Sequence, residues 1–301
     1  MNITDITNTI YFPYELDQIQ VPATQTQVPV VLGSADGTPL FATRLTPSST
    51  GIVTITDLAP LLNTLCDDTP HKFTLIAGTH TATFTIIPSR VPITTPASTF
   101  VQTQFLTLLT GTKHTYTGAT EYLSLWSDTT TAATLTVTHT SLSGTTPTTI
   151  TTTHDITLTP GINTFAIVIG EGFAVKATIG QLTQTYTVIR HATPPTTHLF
   201  TNNFGAVESF HFFGTLQRDH KPTRESAIIS GRTVNYDIQS VPTHKATTSP
   251  LPDTMFALFD DILTTHSLWR HHNNTDTHLT ITDSEWQHTN SPAQLATGTL
   301  T

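Results

Sequence analysis

The sequence predicts a mainly β chain: consecutive antiparallel β-sandwich domains, with one short helix in the first domain and one helix in the last. Three observations carry this. Threonine fills the polar role, with stretches such as Thr129–Thr131 and Thr148–Thr153 holding little else. Its branched Cβ stiffens χ1 and favours the pleated strand over the helix. Apolar residues alternate with these threonines over short runs, the pattern of a sheet with one wet face. Turn residues punctuate the runs at intervals of about 8–12 residues, as in sandwiches.

Residues 1–90 form the first expected domain. Ile19, Val21, Val28, Val30 and Leu32 fall at strand spacing, and Asp36-Gly37 separates Val28–Leu32 from Leu40–Leu45 as a hairpin turn. Gly51–Thr56 alternates as a further strand. The period then changes, because Leu58, Leu61, Leu62 and Leu65 mark one stripe of a short helix. Thr56 or Asp57 is placed to cap it and Pro60 is tolerated in its first turn. Lys72–Ala77 and Thr81–Ile87 make a hairpin about Gly78.

Pro88, Pro92 and Pro96 then interrupt the pattern and set a boundary. The second domain, residues 91–192, reads as all-β. Its strands are Glu121–Trp126, Ala133–Thr140, Thr149–Leu158, Asn163–Ile169, Phe173–Ile179 and Gln184–Ile189, with no helix signal. The stiff linker from His191 to Thr196 leads into the third domain, residues 193–301. Here a long hairpin spans Arg218 to Lys245, and Pro252–His266 reads as a helix capped by Asp253 with the stripe Met255, Leu258, Phe259, Ile262 and Leu263. Strands are expected at Leu279–Thr282 and Gln294–Leu300. The three blocks show no common period, which argues against a solenoid.

Composition excludes several function classes. Charged residues make up 11% of the 301, against about 25% in ordinary domains. The net charge of −9 argues against nucleic acid as a partner. One cysteine, Cys66, rules out an internal disulfide framework and a thiolate-rich zinc site. Met1 is followed by neither a basic nor an apolar leader segment, so synthesis in a cytoplasm is expected, and no apolar run is long enough to span a membrane.

Catalytic signatures are missing from the sequence. It has neither a phosphate loop nor a nucleophile elbow. Cys66 with His71 is a weak thiol pair. His271, His272, Asp276 and His278 have metal-ligand chemistry, but adjacent histidines diverge on a strand, and the stretch reads as a wet hairpin tip. Asp67-Asp68 and Asp260-Asp261 are sequence neighbours near helix ends, not a glycosidase pair across a cleft. No catalytic residue, metal site or cofactor is therefore expected, and the chain is read as a non-enzyme.

Two features invite interaction readings. Arg218, Lys221, Arg224, Arg232 and Lys245 are five of the chain's twelve Lys plus Arg and alternate with apolar residues along the long hairpin. They offer an assembly interface to an acidic partner, and the rest of the chain is one. Trp126, Trp269 and Trp286 are the candidates for stacking on sugar rings in a glycan-binding module.

Several segments in order also resemble a known family. They are Ile10 to Asp17 (IYFPYELD), Gly51 to Leu58 (GIVTITDL), Phe105 to Leu109 (FLTLL), Thr120 to Ser124 (TEYLS) and Asn203 to Ser209 (NFGAVES). Arg224 to Ala227, Ser230 to Arg232 and the helix before His266-Ser267 complete the set. These segments resemble tail-region structural proteins, of distal-tail or baseplate type, from phages and prophages of Bacteroides-type bacteria. The resemblance implies a virion component with β-sandwich domains, made in the host cytoplasm, that assembles as a symmetric homo-oligomer with other tail or baseplate proteins. It carries over no catalytic residues. A glycan-binding sandwich is the alternative function, and a glycosidase or metallohydrolase a more distant one.

Overall fold

The computed structural model describes residues 1–191, 195–220, 222–272, 275–287 and 296–301. The chain is mainly β, with several sheets and three α-helices among the described residues.

The first block contains Ile10–Tyr11 (β1), Ile19–Pro22 (β2), Val28–Ser34 (β3), Pro39–Leu45 (β4), Ile52–Ile55 (β5), His71–Ala77 (β6) and His80–Ile86 (β7), with helix α1 at Leu58–Cys66. A five-stranded sheet runs β1-β7-β6-β3-β4, and β2 pairs with β5. Alternate residues of the large sheet, among them Val30, Leu32, Phe73, Leu75 and Phe84, close on Ile19, Val21, Val53 and Ile55 of the small one, and Leu58 and Leu62 of α1 join them. The Asp36-Gly37 turn forms as expected, with Gly37 at φ +86°. The cap of α1 differs from expectation. Asp57 is left-handed and makes no side-chain cap; the Asp17 carboxylate, 42 residues earlier, accepts the Ala59 N–H at 3.2 Å. A cap from another segment satisfies the same orphan donor and also ties the helix to the chain ahead of β2.

The proline segment leads into a helix that the periodicity did not announce, α2 at Ala97–Thr103. Two turns are too few to show a stripe; tertiary burial of Ala97 and Phe100 sustains it. The second block follows with Thr112–Thr115 (β8), Thr120–Ser127 (β9), Thr131–Ser143 (β10), Thr146–Leu158 (β11), Gly161–Val168 (β12), Ala174–Ile179 (β13) and Leu182–Val188 (β14). The sheet β11-β10-β13-β14-β8 packs on the β12–β9 pair through one apolar cluster. Among the described strands, β1 on β7 and β8 on β14 pair parallel and the others antiparallel.

The third block contains Thr196–Thr201 (β15), Val207–Phe212 (β16), Leu216–His220 (β17), Thr223–Ile229 (β18), Arg232–Gln239 (β19), Pro242–Thr247 (β20), Leu268–His272 (β21), Thr275–Leu279 (β22), Ser284–Gln287 (β23) and Thr297–Leu300 (β24). Its helix α3 covers Phe256–Leu263 behind a single 3-10 turn at Asp253–Met255, and Asp253 makes no side-chain cap. Sheets β16-β15-β21-β22 and β17-β20-β24-β23 enclose Phe210, Phe212, Leu258, Phe259 and Ile262. The strand expected at Leu279–Thr282 ends at Leu279 instead, because it pairs back on β21 with Leu279 opposite Leu268. Part of the expected Gln294–Leu300 strand, Gln294 and Leu295, lies outside the described residues.

A fourth apolar cluster belongs to all three blocks. Ile10, Phe12 and Ile87 meet Ala97, Phe100 and Leu106, and Phe204 closes the group. Phe12, Phe100 and Phe204 contact one another with ring centroids 5.2–5.6 Å apart. Contacts of this kind hold the blocks in one arrangement.

Candidate functional site: a projecting β-arm

The long hairpin forms. β17 pairs with β20, and β18 pairs with β19 around the Ser230-Gly231 turn. Sequence supplies the turn, since Ser230 and Gly231 both hold positive φ, as a two-residue hairpin turn of this hand requires. β18 and β19 pair with no other described strand. Their side chains stand in water, including Ile228 (78% exposed), Ile229, Val234, Tyr236 and Ile238, with Val241 (78%) just beyond. A lone two-stranded ribbon is marginal in water, and apolar side chains in such a row mark an interaction site. Tyr236 falls unpaired at a bulge and donates its hydroxyl to Glu225 at 2.7 Å.

The basic residues do not share one face. Arg218 lies across from His244, whereas Lys245 lies across from Gln217, one position out of step. Arg224 opposes Ile238 and Arg232 opposes Ile229, again on opposite sides of the ribbon. Lys221 lies outside the described residues. The arm thus presents cations and aliphatic side chains on both faces.

A second long hairpin, β10–β11, keeps thirteen consecutive pairs in register and exposes its outer strand. Threonine ladders cover it, with Thr138 to Thr151 at 3.1 Å and Ser141 to Thr148 at 3.0 Å. Cross-strand hydroxyl pairs of this kind add about 0.2–1 kcal/mol each.

The remaining sequence candidates are dispersed. Trp126, Trp269 and Trp286 sit on three different sheets and all are half-buried. Trp126 donates to Asp128 at 2.8 Å, Trp269 packs edge-on to His278, and Trp286 packs on Phe256 and Phe259. They form no shared stacking surface. His271 pairs with Asp276 at 2.6 Å across the β21–β22 hairpin, and among the described residues no three His, Cys, Asp or Glu gather as a metal site. Cys66 is fully buried, and burial pushes its thiol up to about 12, so it stays protonated.

What sequence reasoning missed is a pair of buried polar joints. In the first, Arg90 bonds Asp261 of α3 at 2.7 Å and the Thr201 carbonyl at 3.1 Å, with Asp68 at 3.7 Å. In the second, Lys113 of β8 and Glu121 of β9 pair at 2.8 Å with exposures of 2% and 0%. Ser209 and His211 of β16 donate to the same carboxylate, each at 2.7 Å. Burial alone would push Glu121 up, but the Lys113 ammonium and His211 outweigh it and hold the carboxyl well below the usual range. Glu208, accepting from Thr107 and Asn202 nearby, is pushed by burial up to about 7. The residue types suit acid–base chemistry, but a cavity of about 10 Å³ beside them has room for a single water and no substrate. The geometry welds the second block to the third.

No family model matches the sequence, and no curated protein matches it either. Among the described residues no helix is long and apolar enough to cross a membrane.

Proposed function

We propose that this chain is a non-enzymatic structural protein that assembles with further copies of itself through the β-arm at residues 216–247. The resemblance of its sequence segments to phage tail proteins supports placing that assembly in a tail or baseplate of a virion, alongside other tail proteins. The observation that carries the reading is the row of exposed aliphatic side chains on a ribbon that pairs with no other described strand. Charge favours the same pairing. The arm holds five cations against three acids, a net +2, so the rest of the chain carries −11. A basic ribbon meeting an acidic body speeds encounter, and burying its aliphatic residues holds the contact. The contact is not self-complementary, so it points to a head-to-tail ring.

Light scattering on the purified protein tests this. The intact chain is expected to run as a discrete oligomer whose mass falls at raised salt, and a variant with residues 222–240 replaced by a two-residue turn is expected to run as a folded monomer. A monomeric intact chain, indifferent to salt, would remove the basis for the reading.

A further inference from the structure

At the root of the arm, between the two sheets of the third block, lies a pocket of about 370 Å³, lined in part by Val241, Pro242, Thr243, His244 and Ala246 where the arm rejoins the body. That volume is at the lower end for small-molecule sites. Its floor holds Arg270 of β21, with His198 opposite it on β15 and His244 on β20. His198 is 3% exposed and its Nδ1 is buried without a hydrogen-bond partner; Arg270 Nε is likewise buried and unpartnered. Arg270 Nη1 lies 3.4 Å from His244 Nδ1, and no ion pair joins Arg270 to a carboxyl among the described residues. No lining side chain is acidic. Thr301 also lines the pocket, and its main-chain oxygen is taken by the Thr282 and Asp283 N–H groups.

A half-buried guanidinium beside Leu268, Ala246 and Leu300 is a costly way to fill space, because a buried charge without a counter-charge loses its hydration uncompensated. Elsewhere the chain pairs its buried charges, as Arg90 and Lys113 show. Burial and the nearby Arg270 push His198 down to about 3, and His244 is lowered by the same causes, so both rings stay neutral with one N–H each to give. Thr243, Thr277 and Thr280 set hydroxyls around the exposed mouth.

We propose that this pocket binds a small hydroxylated organic anion, a sugar acid or sugar phosphate, whose charged group pairs with Arg270 and accepts from His198 and His244 while its hydroxyls meet the threonine rim. Arginine suits a planar or tetrahedral oxyanion because its N–H groups are fixed in a fork.

The test is titration of the full chain with glucuronate, glucose 6-phosphate and uncharged glucose, followed by calorimetry and by the histidine ring resonances. One of the two anions is expected to bind and move the His198 and His244 signals, which also decides between carboxylate and phosphate; glucose is expected to leave them unmoved. Arg270→Gln is expected to weaken binding at least about tenfold, as loss of a charged hydrogen-bonding partner does, while Arg232→Gln at the arm tip binds as the intact chain. Should Arg270→Gln not fold, His244→Leu, on a half-exposed strand position, tests the same contact. Binding weaker than about 10 mM for both anions, equal binding by glucose, or undiminished binding by the Arg270 and His244 variants would overturn the proposal.

Discussion

The joint between the second and third blocks and the arm beyond it invert the ordinary distribution of side chains in opposite ways. The joint places Lys113, Glu121, Glu208 and His211 almost wholly out of contact with solvent. The arm places Ile228, Ile229, Tyr236 and Ile238 in open contact with it. Charged residues are almost never fully buried unless paired, and a contiguous apolar surface is rarely left open on a monomer. The joint is complete within one chain, since each carboxylate has its donors in place. The arm is incomplete, since nothing among the described residues covers it. The difference separates what makes the chain rigid from what makes it adhesive, and substitutions in the two regions should have separable effects.

The largest effect on stability is expected from Lys113→Met. It leaves Glu121 buried with hydrogen-bond donors but no cation, and breaking a buried pair in this way costs about 3–5 kcal/mol. Urea unfolding at neutral pH measures it. If Lys113→Met unfolds with an unchanged midpoint, the joint is not what holds the two blocks together.

Next in size is Gly205→Ala. Gly205 sits at φ +77°, and a Cβ there would run into the Asp68 carbonyl oxygen, so backbone must move between the first and third blocks. Strain at such a position costs on the order of 1–3 kcal/mol before the clash is counted. The same unfolding series reads it. Separate transitions for the first block and the remainder would show that this contact couples them.

The joint also sets a pH dependence. Burial raises Glu208 from 4.5 to about 7, with the Lys113 charge and the Asn202 hydrogen bond opposing. Between those two values the folded state holds a proton that the unfolded state has released. Stability conferred by that proton is fully present below about pH 4.5 and is lost as pH rises through about 7. Glu208→Gln, with a neutral amide of the same shape, is expected to flatten this part of the curve, measured as the urea midpoint at pH 5 and pH 8. An unchanged slope in Glu208→Gln would place the titration elsewhere.

The arm and the joint differ in how far the sequence reveals them. Alternation and the turn residues around Ser230-Gly231 locate the arm, because a ribbon is local and its period is two. The Asp36-Gly37 hairpin and the α1 and α3 stripes are legible for the same reason. The face on which each cation lies was not legible, because Lys245 and Arg218 are separated by a turn and a bulge whose register only pairing defines. The joint leaves no local trace. Lys113 and Glu121 are eight residues apart, but Ser209 and His211 lie 88 and 90 residues from Glu121, and Asp261 lies 171 from Arg90. Asp17 capping α1 is a smaller case of the same kind. Polar groups that meet across blocks have no periodicity to betray them.

The smallest effect on stability, and the one that bears most directly on assembly, is expected at the arm. Ile228 and Ile238 lie on the same side of the β18–β19 ribbon, on either side of the bulge, and both are more than half exposed. Changing both to Thr keeps the β-branched shape that suits a strand and removes the apolar surface. Exposed substitutions of this sort usually change stability by no more than about 0.5 kcal/mol. If the aliphatic side chains face a neighbouring copy, the oligomer mass in light scattering should nevertheless fall to that of one chain, while the urea midpoint of the monomer stays where it was. A double variant that keeps its mass would mean that association runs through another surface, with the threonine-laddered β10–β11 hairpin the first to truncate. A variant that loses both mass and midpoint would mean that the arm is part of the fold, and the separation between rigid joint and adhesive arm would fail.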